Sequence, residues 1–303
     1  MMPPGVHLLD ISGPAHIFYE AASYGAPVKQ HFSSIFTDET GSTSSCSLTF
    51  SSLVPFDQLN LNAGDLVFIP GLESSLLLDD DFLLASDKFR EWMRVQYQNG
   101  VIICSVCTGA FLVAEAGLLN GRSCTTHWKY TDLFSHRYPK AKLLVNRLFV
   151  DEDRIFTSAG VSSGIDLALH LVEKLWGAHF AAKVAKEVVI YFRRSMDDPQ
   201  LSVFTQYRNH LEYRIHNVQD RLAETLDQKI SIEQLAEQVS MSPRNLTRLF
   251  KKTTDITIGA YLGQLRIERA RQLKADGQTM HSVAAQCGLK STNQLRSILK
   301  KVV

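Results

Sequence analysis

The 303-residue sequence predicts two domains of different class: an α/β domain with a mostly parallel sheet, then an all-α domain with two helix-turn-helix units. Three observations predict this. Continuous apolar runs such as Val101-Ile102-Ile103-Cys104-Ser105-Val106 alternate with helical stretches through the first part, as in parallel sheets buried on both faces. In the last third, one pattern of apolar positions occurs twice. Charge divides in the same place: residues 1–199 hold 16 Lys+Arg against 22 Asp+Glu, a net of −6, and residues 200–303 hold 16 against 9, a net of +7. Counterion release makes the basic part an electrostatic footprint for DNA and argues against DNA contacts in the acidic part.

Taken in order, the chain opens with the Pro-Pro-Gly loop of MMPPGVHLLDISGPAHIFYEAA, and a helix is expected after Gly13-Pro14. A domain of this kind normally opens with a buried strand. At most two residues precede the loop here, so the expectation is either a late start or a sheet lacking an edge strand. Residues 28–36 and 47–53 read as short strands, 66–71 as a buried strand ending in a loop, and 82–97 as one amphipathic helix closed by Asn99-Gly100. The 101–106 strand turns sharply at Cys107-Thr108-Gly109-Ala110 into a helix over 111–116, with Gly117 at its end. Strand, sharp turn and helix form the nucleophile-elbow arrangement, which holds a side chain above a sheet at a helix N-terminus. Residues 154–158 are a further strand and 160–176 a helix. The polar stretch 195–208, with Asp197-Asp198-Pro199, marks the linker, and a helix over 211–226 enters the second domain. The expected division is therefore 1–195, a linker at 196–210, and 211–303.

Within SIEQLAEQVSMSPRNLTRLFKK (231–252), Ile232, Leu235, Ala236 and Val239 share one helix face behind a capping box of Ser231 and Gln234. Ser242 is an N-cap followed by Pro243, and Leu246, Leu249 and Phe250 form the buried stripe of the second helix. Its other face carries Arg244, Asn245, Thr247, Arg248, Lys251 and Lys252. The early Arg and Asn suit base edges in the major groove, and the later lysines suit phosphates. On pattern alone, a helical hairpin with a solvated basic face explains this stretch equally well. A second copy decides: Val283, Ala284, Cys287 and Gly288 match Leu235, Ala236, Val239 and Ser240, and Leu295, Ile298 and Leu299 match Leu246, Leu249 and Phe250. Residues 257–275 between them read as one rigid connecting helix, so that two readers address successive major-groove faces.

Residues 214–303 resemble the double helix-turn-helix domain of AraC-type transcription regulators. The resemblance implies base contacts from Arg244, Asn245 and Arg248, with Asn293, Gln294 and Ser297 as the second set. In the first domain, GVHLLDISGP, VFIPG, CSVCTGAFLVAEAGLLNGR, TTHW and TSAGVSSGIDLALHLVE together resemble the class I glutamine amidotransferase-like (PfpI-like) domain. This is a flavodoxin-like fold, here in the branch fused to an AraC-type domain, as in GlxA-type regulators. The resemblance implies an elbow cysteine at Cys107, a histidine partner at His127 and an acidic partner at Asp10. In the enzymes of this fold that acidic side chain lowers the cysteine's pKa or holds its oxidised form. Backbone N–H groups at Cys107-Thr108 or Gly71-Leu72 are the expected oxyanion donors. The competing role is a pocket that kept the scaffold and lost the chemistry. In that case Asp10, Gly71, Cys107, Thr108, His127 and Trp128 line an effector site for a small nitrogenous metabolite, of quaternary amine or amino acid class. Trp128 with Phe18 and Tyr19 would form an aromatic wall for a cation; Trp128 also reads as a core or dimer-interface aromatic.

The expected function is that of a sequence-specific DNA-binding regulator rather than an enzyme. Its expected partners are double-stranded DNA, a small-molecule effector, a second copy bound through the first domain, and RNA polymerase. No cofactor and no metal is expected. A cysteine-dependent amidase or hydrolase, and a thiol redox sensor pairing Cys107 with Cys104 or Cys124, are the alternatives. Cys46, Cys104, Cys107, Cys124 and Cys287 form no dense framework and no double CxxC, which suits reduced thiols in a cytoplasmic protein. No apolar run approaches the ~18 residues of a membrane span.

Overall fold

The computed structural model describes residues 1–38, 40–190, 194, 196, 199–275 and 277–300. The chain forms two compact units, Met1–Gln200 and Leu201–Val303. Ser195, Asp197 and Asp198 of the expected linker lie outside the described residues. Val203–Tyr207, within the same stretch, is helical. No helix among the described residues is long and apolar enough to cross a membrane.

The first unit is built on a four-stranded sheet of β1 (Leu66–Ile69), β2 (Ile102–Val106), β3 (Phe149–Glu152) and β4 (Ile155–Ser158), in the order β1-β2-β4-β3. The β1–β2 and β2–β4 pairs are parallel, and β3 is an antiparallel edge. Alternation along the strands sends side chains to two apolar layers. Val67, Ile69, Ile103 and Ile155 pack with Phe89, Met93, Phe111 and Phe134. Cys104 and Phe156 pack with Ile17, Phe18, Leu167, Leu171 and Val184. Helices therefore cover both faces. The covering helices include α1 (Leu8–Ser23), α2 (Asp87–Gln98), α3 (Gly109–Glu115), α4 (Ser163–Trp176) and α5 (Ala178–Glu187), of which α1, α3 and α4 border the site.

Several expected elements differ. Helix α1 begins at Leu8, with Pro14 inside it rather than before it. Proline removes one intrahelical bond, but Pro14 is buried with its ring beside Gly164 of α4, and tertiary packing outweighs that loss. The expected helix over 82–97 is two, Asp80–Ala85 and α2, broken at Ser86. There the Leu83 carbonyl accepts from Ser86 Oγ at 3.0 Å and from the Arg90 guanidinium at 2.9 Å. Of the strands expected at 28–36 and 47–53, only Ser33–Ser34 and Thr49–Phe50 form. Ser47 and Ser52, with φ of 65° and 59°, bend the second run at both ends. Strand β3 has no counterpart in the sequence reading; it pairs with β4 through a two-residue turn at Asp153-Arg154. Where an opening strand is expected, the Met1 amino group donates to Phe68 O at 2.8 Å and Met2 N–H to Ser33 O at 2.8 Å, so one bridging residue lies between β1 and the short strand at 33–34.

The second unit is helical: α6 (Tyr213–Glu224), α7 (Ile232–Gln238), α8 (Pro243–Thr254), α9 (Ile258–Ala275), α10 (Met280–Gln286) and α11 (Thr292–Lys300). The capping box of Ser231 and Gln234 forms as expected, and Ser242 caps α8. The two copies have separate cores joined by one helix. Ile258, Tyr261 and Leu265 of α9 pack on the first copy, and Ala270 and Leu273 pack on the second.

Candidate functional site

The elbow forms as the sequence implies. Cys107 has a φ of 59°, a left-handed conformation that L-residues rarely adopt and that here places the side chain at the β2–α3 turn. Its surroundings are close. A Cβ on Gly160 would stand 2.7 Å from Cys107 Sγ, and one on Gly71 would stand 2.4 Å from Asp10 Oδ2. Asp10 is 1% exposed and accepts Gly71 N–H at 3.1 Å through Oδ2 and Val161 N–H at 2.8 Å through Oδ1. The Thr108 hydroxyl accepts Leu72 N–H at 3.0 Å and donates to Leu72 O at 3.1 Å. These bonds tie α1, the 70–72 loop, the elbow and the 160–163 loop into one assembly.

Four expectations at this site are corrected. First, the ring nearest the thiol is that of His7, whose Nδ1 lies 4.0 Å from Cys107 Sγ and 3.6 Å from Asp10 Oδ2. His127 makes no described contact with Cys107; its Nδ1 accepts Lys129 N–H at 3.3 Å, and its ring is tilted on Trp128 and Tyr130. Burial lowers the His127 pKa, keeping the imidazole neutral near pH 7. Second, the Cys107 thiol is not activated. Burial, reinforced by the Asp10 carboxylate, pushes its pKa far up, and this outweighs the favourable N–H of Thr108. Asp10 therefore opposes the thiolate instead of promoting it. Third, three of the four expected oxyanion donors are spent, Gly71 N–H on Asp10, Leu72 N–H on Thr108 and Cys107 N–H on Ser158 O at 3.0 Å, while the Thr108 N–H faces the Cys107 sulfur. Thr108, fully buried, is a loop clamp. Fourth, Phe18 is 6% exposed and packs edge-on against Phe68 and Trp176 in the core, while Tyr19 stacks on His16, so neither joins Trp128. Trp128 itself is 49% exposed.

The other thiols are placed by the sheet. Cys104 and Cys124 lie in different apolar clusters, and burial raises both pKa values, that of Cys124 to about 12.

In the second unit, Arg244, Asn245, Thr247, Arg248, Lys251 and Lys252 are all exposed on α8, whose Leu246 and Phe250 are fully buried. A groove of about 450 Å³ runs along this face, lined by Arg214, Met241, Asn245, Arg248, Leu249 and Lys252. Arg214 was not singled out by the sequence. Thr247 Oγ1 bonds back to Pro243 O at 3.0 Å, and Arg248 reaches Asn245 Oδ1 at 3.4 Å. On α11, Asn293, Gln294 and Ser297 are exposed, as is Arg296, which the sequence reading missed. Gln294 Oε1 accepts Lys290 N–H at 2.9 Å, which engages that side chain at the turn. The turns of the two copies match in conformation: Ser240 has φ 53° and Gly288 φ 63°.

Comparison with known proteins agrees with both halves. The model of the DJ-1/PfpI family matches residues 2–174, and that of a helix-turn-helix domain matches residues 235–303. The chain is 32% identical over 203 residues to the HTH-type transcriptional regulator CdhR of Pseudomonas aeruginosa, covering 66% of this chain and 60% of that protein. It thus spans less than two thirds of that regulator's length. Over 182 residues it is 30% identical to the isonitrile hydratase of Pseudomonas putida, covering 60% of this chain and 72% of the enzyme. The crystal structure of Drosophila melanogaster DJ-1beta superposes with a TM-score of 0.53 at 18% identity, over 63% of this chain and 96% of that one, a likeness of fold.

Proposed function

Since the chain belongs to the DJ-1/PfpI family and carries a helix-turn-helix domain behind that part, we propose that it is a sequence-specific DNA-binding transcription regulator whose first unit is a ligand sensor. The observation that carries this is the division of α8. Its apolar stripe is spent on the core, while two arginines, an asparagine and two lysines are left on one exposed face. A second, equivalent helix lies on the far half of α9. In this reading Arg244, Asn245 and Arg248 read base edges, Lys251, Lys252 and Arg214 hold phosphates, and Asn293, Arg296 and Ser297 form the weaker second reader. The kinship with CdhR, named a transcriptional regulator, supports it.

In this reading the effector enters beside the elbow, where the partly exposed His7 stands next to the buried Asp10 and Cys107, and the exposed Trp128 lies against His127. A small nitrogenous metabolite, of quaternary amine or amino acid class, suits the exposed Trp128 face. The kinship with isonitrile hydratase favours a second reading, in which Cys107 attacks a substrate. The protonated thiol and the engaged N–H groups weigh against it.

The test is sequencing of genomic fragments retained by the purified full chain at near-physiological salt, where non-specific phosphate binding is weak. Enrichment of a few promoters with half-sites one helical turn apart supports the regulator. Uniform retention of all DNA would sink it.

A further inference from the structure

His7 Nδ1, Asp10 Oδ2 and Cys107 Sγ all lie within 4.8 Å of one another. Neither the His7–Asp10 nor the His7–Cys107 separation makes a good hydrogen bond: 3.6 Å exceeds the N–H···O range, and 4.0 Å is at the far limit for sulfur. Both are near the edges of a metal polyhedron. With Zn–N of about 2.0–2.1 Å, Zn–O of about 2.0–2.2 Å and Zn–S of about 2.3 Å, a tetrahedral ion sets N···O near ~3.4 Å and S···N near ~3.6 Å. The two edges that meet at His7 need to contract by only a few tenths of an ångström, and the third, between Asp10 and Cys107, lies within 4.8 Å.

From this geometry we propose that His7, Asp10 and Cys107 bind a thiophilic divalent transition-metal ion, of the zinc class, through one imidazole nitrogen, one carboxylate oxygen and one sulfur. The inference rests on the reading of the elbow as a ligand site, and not on the DNA-binding half. A buried carboxylate and a thiolate together supply two negative charges, which a divalent cation neutralises, and the mixed sulfur, nitrogen and oxygen set selects zinc-like ions over magnesium or calcium. As the sulfur–metal bond forms, the Cys107 S–H proton leaves to solvent, with no change of oxidation state.

The outer shell is in place. Asp10 is held by the Gly71 and Val161 N–H groups, and His7 N–H donates to Gly71 O at 2.9 Å, so both ligands hang on the same loop. Asp10 and Cys107 are buried, while the His7 side chain is 33% exposed. Three protein ligands leave one tetrahedral position for water or a small ligand, the pattern of open zinc sites. The sequence conceals the set because His7 and Cys107 are 100 residues apart.

The probe is Co²⁺ added to the metal-free full chain in thiol-free buffer, followed by absorption. One equivalent per chain should produce a near-ultraviolet sulfur-to-cobalt charge-transfer band with intense visible bands of tetrahedral type, and Zn²⁺ should displace it. Cys107→Ser should abolish the charge-transfer band. His7→Ala, at a partly exposed position where unfolding is not expected, should weaken cobalt binding more than about tenfold, since even outer-shell partners are worth that much. Cys46→Ser, at the exposed thiol, should change nothing. Absence of saturable uptake, a band that survives Cys107→Ser or vanishes in Cys46→Ser, or a His7→Ala titration equal to the unaltered chain's would each overturn the proposal. Fragment enrichment measured on the same preparation separates the two failures: enriched promoters without a cobalt band leave the regulator standing and remove the metal.

Discussion

Gly160 and Cys107 occupy each other's space: at the φ of 107° that Gly160 adopts, a Cβ would lie 2.4 Å from the Cys107 Cβ and 2.7 Å from its Sγ. Cys107 is itself held at a positive φ, so the 160–163 loop and the elbow can close only if one of the two has no side chain. Gly160→Ala should therefore destabilise the chain by at least about 2 kcal/mol, combining overpacking with backbone strain. Urea unfolding checks this; an unchanged midpoint would mean that the loop does not close on Cys107.

The thiols should divide by exposure. Cys46 is exposed, whereas Cys104, Cys107, Cys124 and Cys287 are buried, and burial raises the pKa of each of these four. In the native state one thiol per chain should react rapidly with a disulfide reagent at pH 7, and Cys46→Ser should remove that fast phase. A second fast thiol, lost in Cys107→Ser, would restore the nucleophile reading.

Arg244 and Lys252 stand on the same exposed face of α8 but at opposite ends of it, and the regulator reading gives them different work. Arg244→Ala should cost about 1–3 kcal/mol of discrimination between specific and non-specific DNA if its contact is bidentate. Lys252→Ala should weaken both kinds of binding alike and reduce the salt slope by about 1. Competition binding at several salt concentrations separates them, and equal losses on all DNA in Arg244→Ala would remove it from base readout.

The two helix-turn-helix copies supply an internal control. Ser240 and Gly288 are equivalent left-handed turns, but only Gly288 is crowded, because a Cβ there would meet the Leu226 carbonyl oxygen at 2.3 Å. Ser240→Gly should be neutral or stabilising by up to about 1 kcal/mol, through relief of the left-handed conformation. Gly288→Ala should destabilise the second copy by about 1–3 kcal/mol. Thermal unfolding of both variants tests the asymmetry.

What the sequence disclosed follows the range of the interactions involved. The capping box at Ser231, the N-cap at Ser242 and the buried stripe of Leu246 and Phe250 are local patterns, and they form where the spacing places them. The elbow is local too, so Cys107 was legible, and the PfpI-like motifs located Asp10. The direction of Asp10's effect was not legible, because it depends on how deeply both groups are buried. His7 was missed for a similar reason. It precedes α1 by one residue and meets Cys107 only through packing across 100 positions, whereas His127 sits in a conspicuous TTHW segment. The continuation of α1 through Pro14 is likewise an outcome of tertiary contact overriding propensity, whereas the split at Ser86 comes with side-chain bonds to the Leu83 carbonyl that helical periodicity does not register.

His210 stands at the entry to the second unit. Both of its ring nitrogens are buried without a hydrogen-bond partner among the described residues, and its ring lies 4.3 Å from that of His216, centroid to centroid. Burial first, then His216, lower its pKa below the usual 6.5, with Gln219 opposing them and smaller effects of Arg208 and Glu212 in opposite directions. The folded chain thus prefers neutral His210, while the unfolded chain takes up a proton near 6.5. Between those two pKa values the unfolded state binds more protons, so stability falls as pH drops from 6.5 and levels off below the folded pKa; above 6.5 this group contributes no slope. Pairing with Arg208 lowers the Asp220 pKa, which keeps its own titration away from the onset of the fall near pH 6.5. Melting curves of the full chain against those of His210→Gln, recorded from pH 7.5 downward, should converge above pH 6.5 in slope and diverge below it, with the variant losing less. Parallel curves throughout would mean that His210 titrates alike in both states.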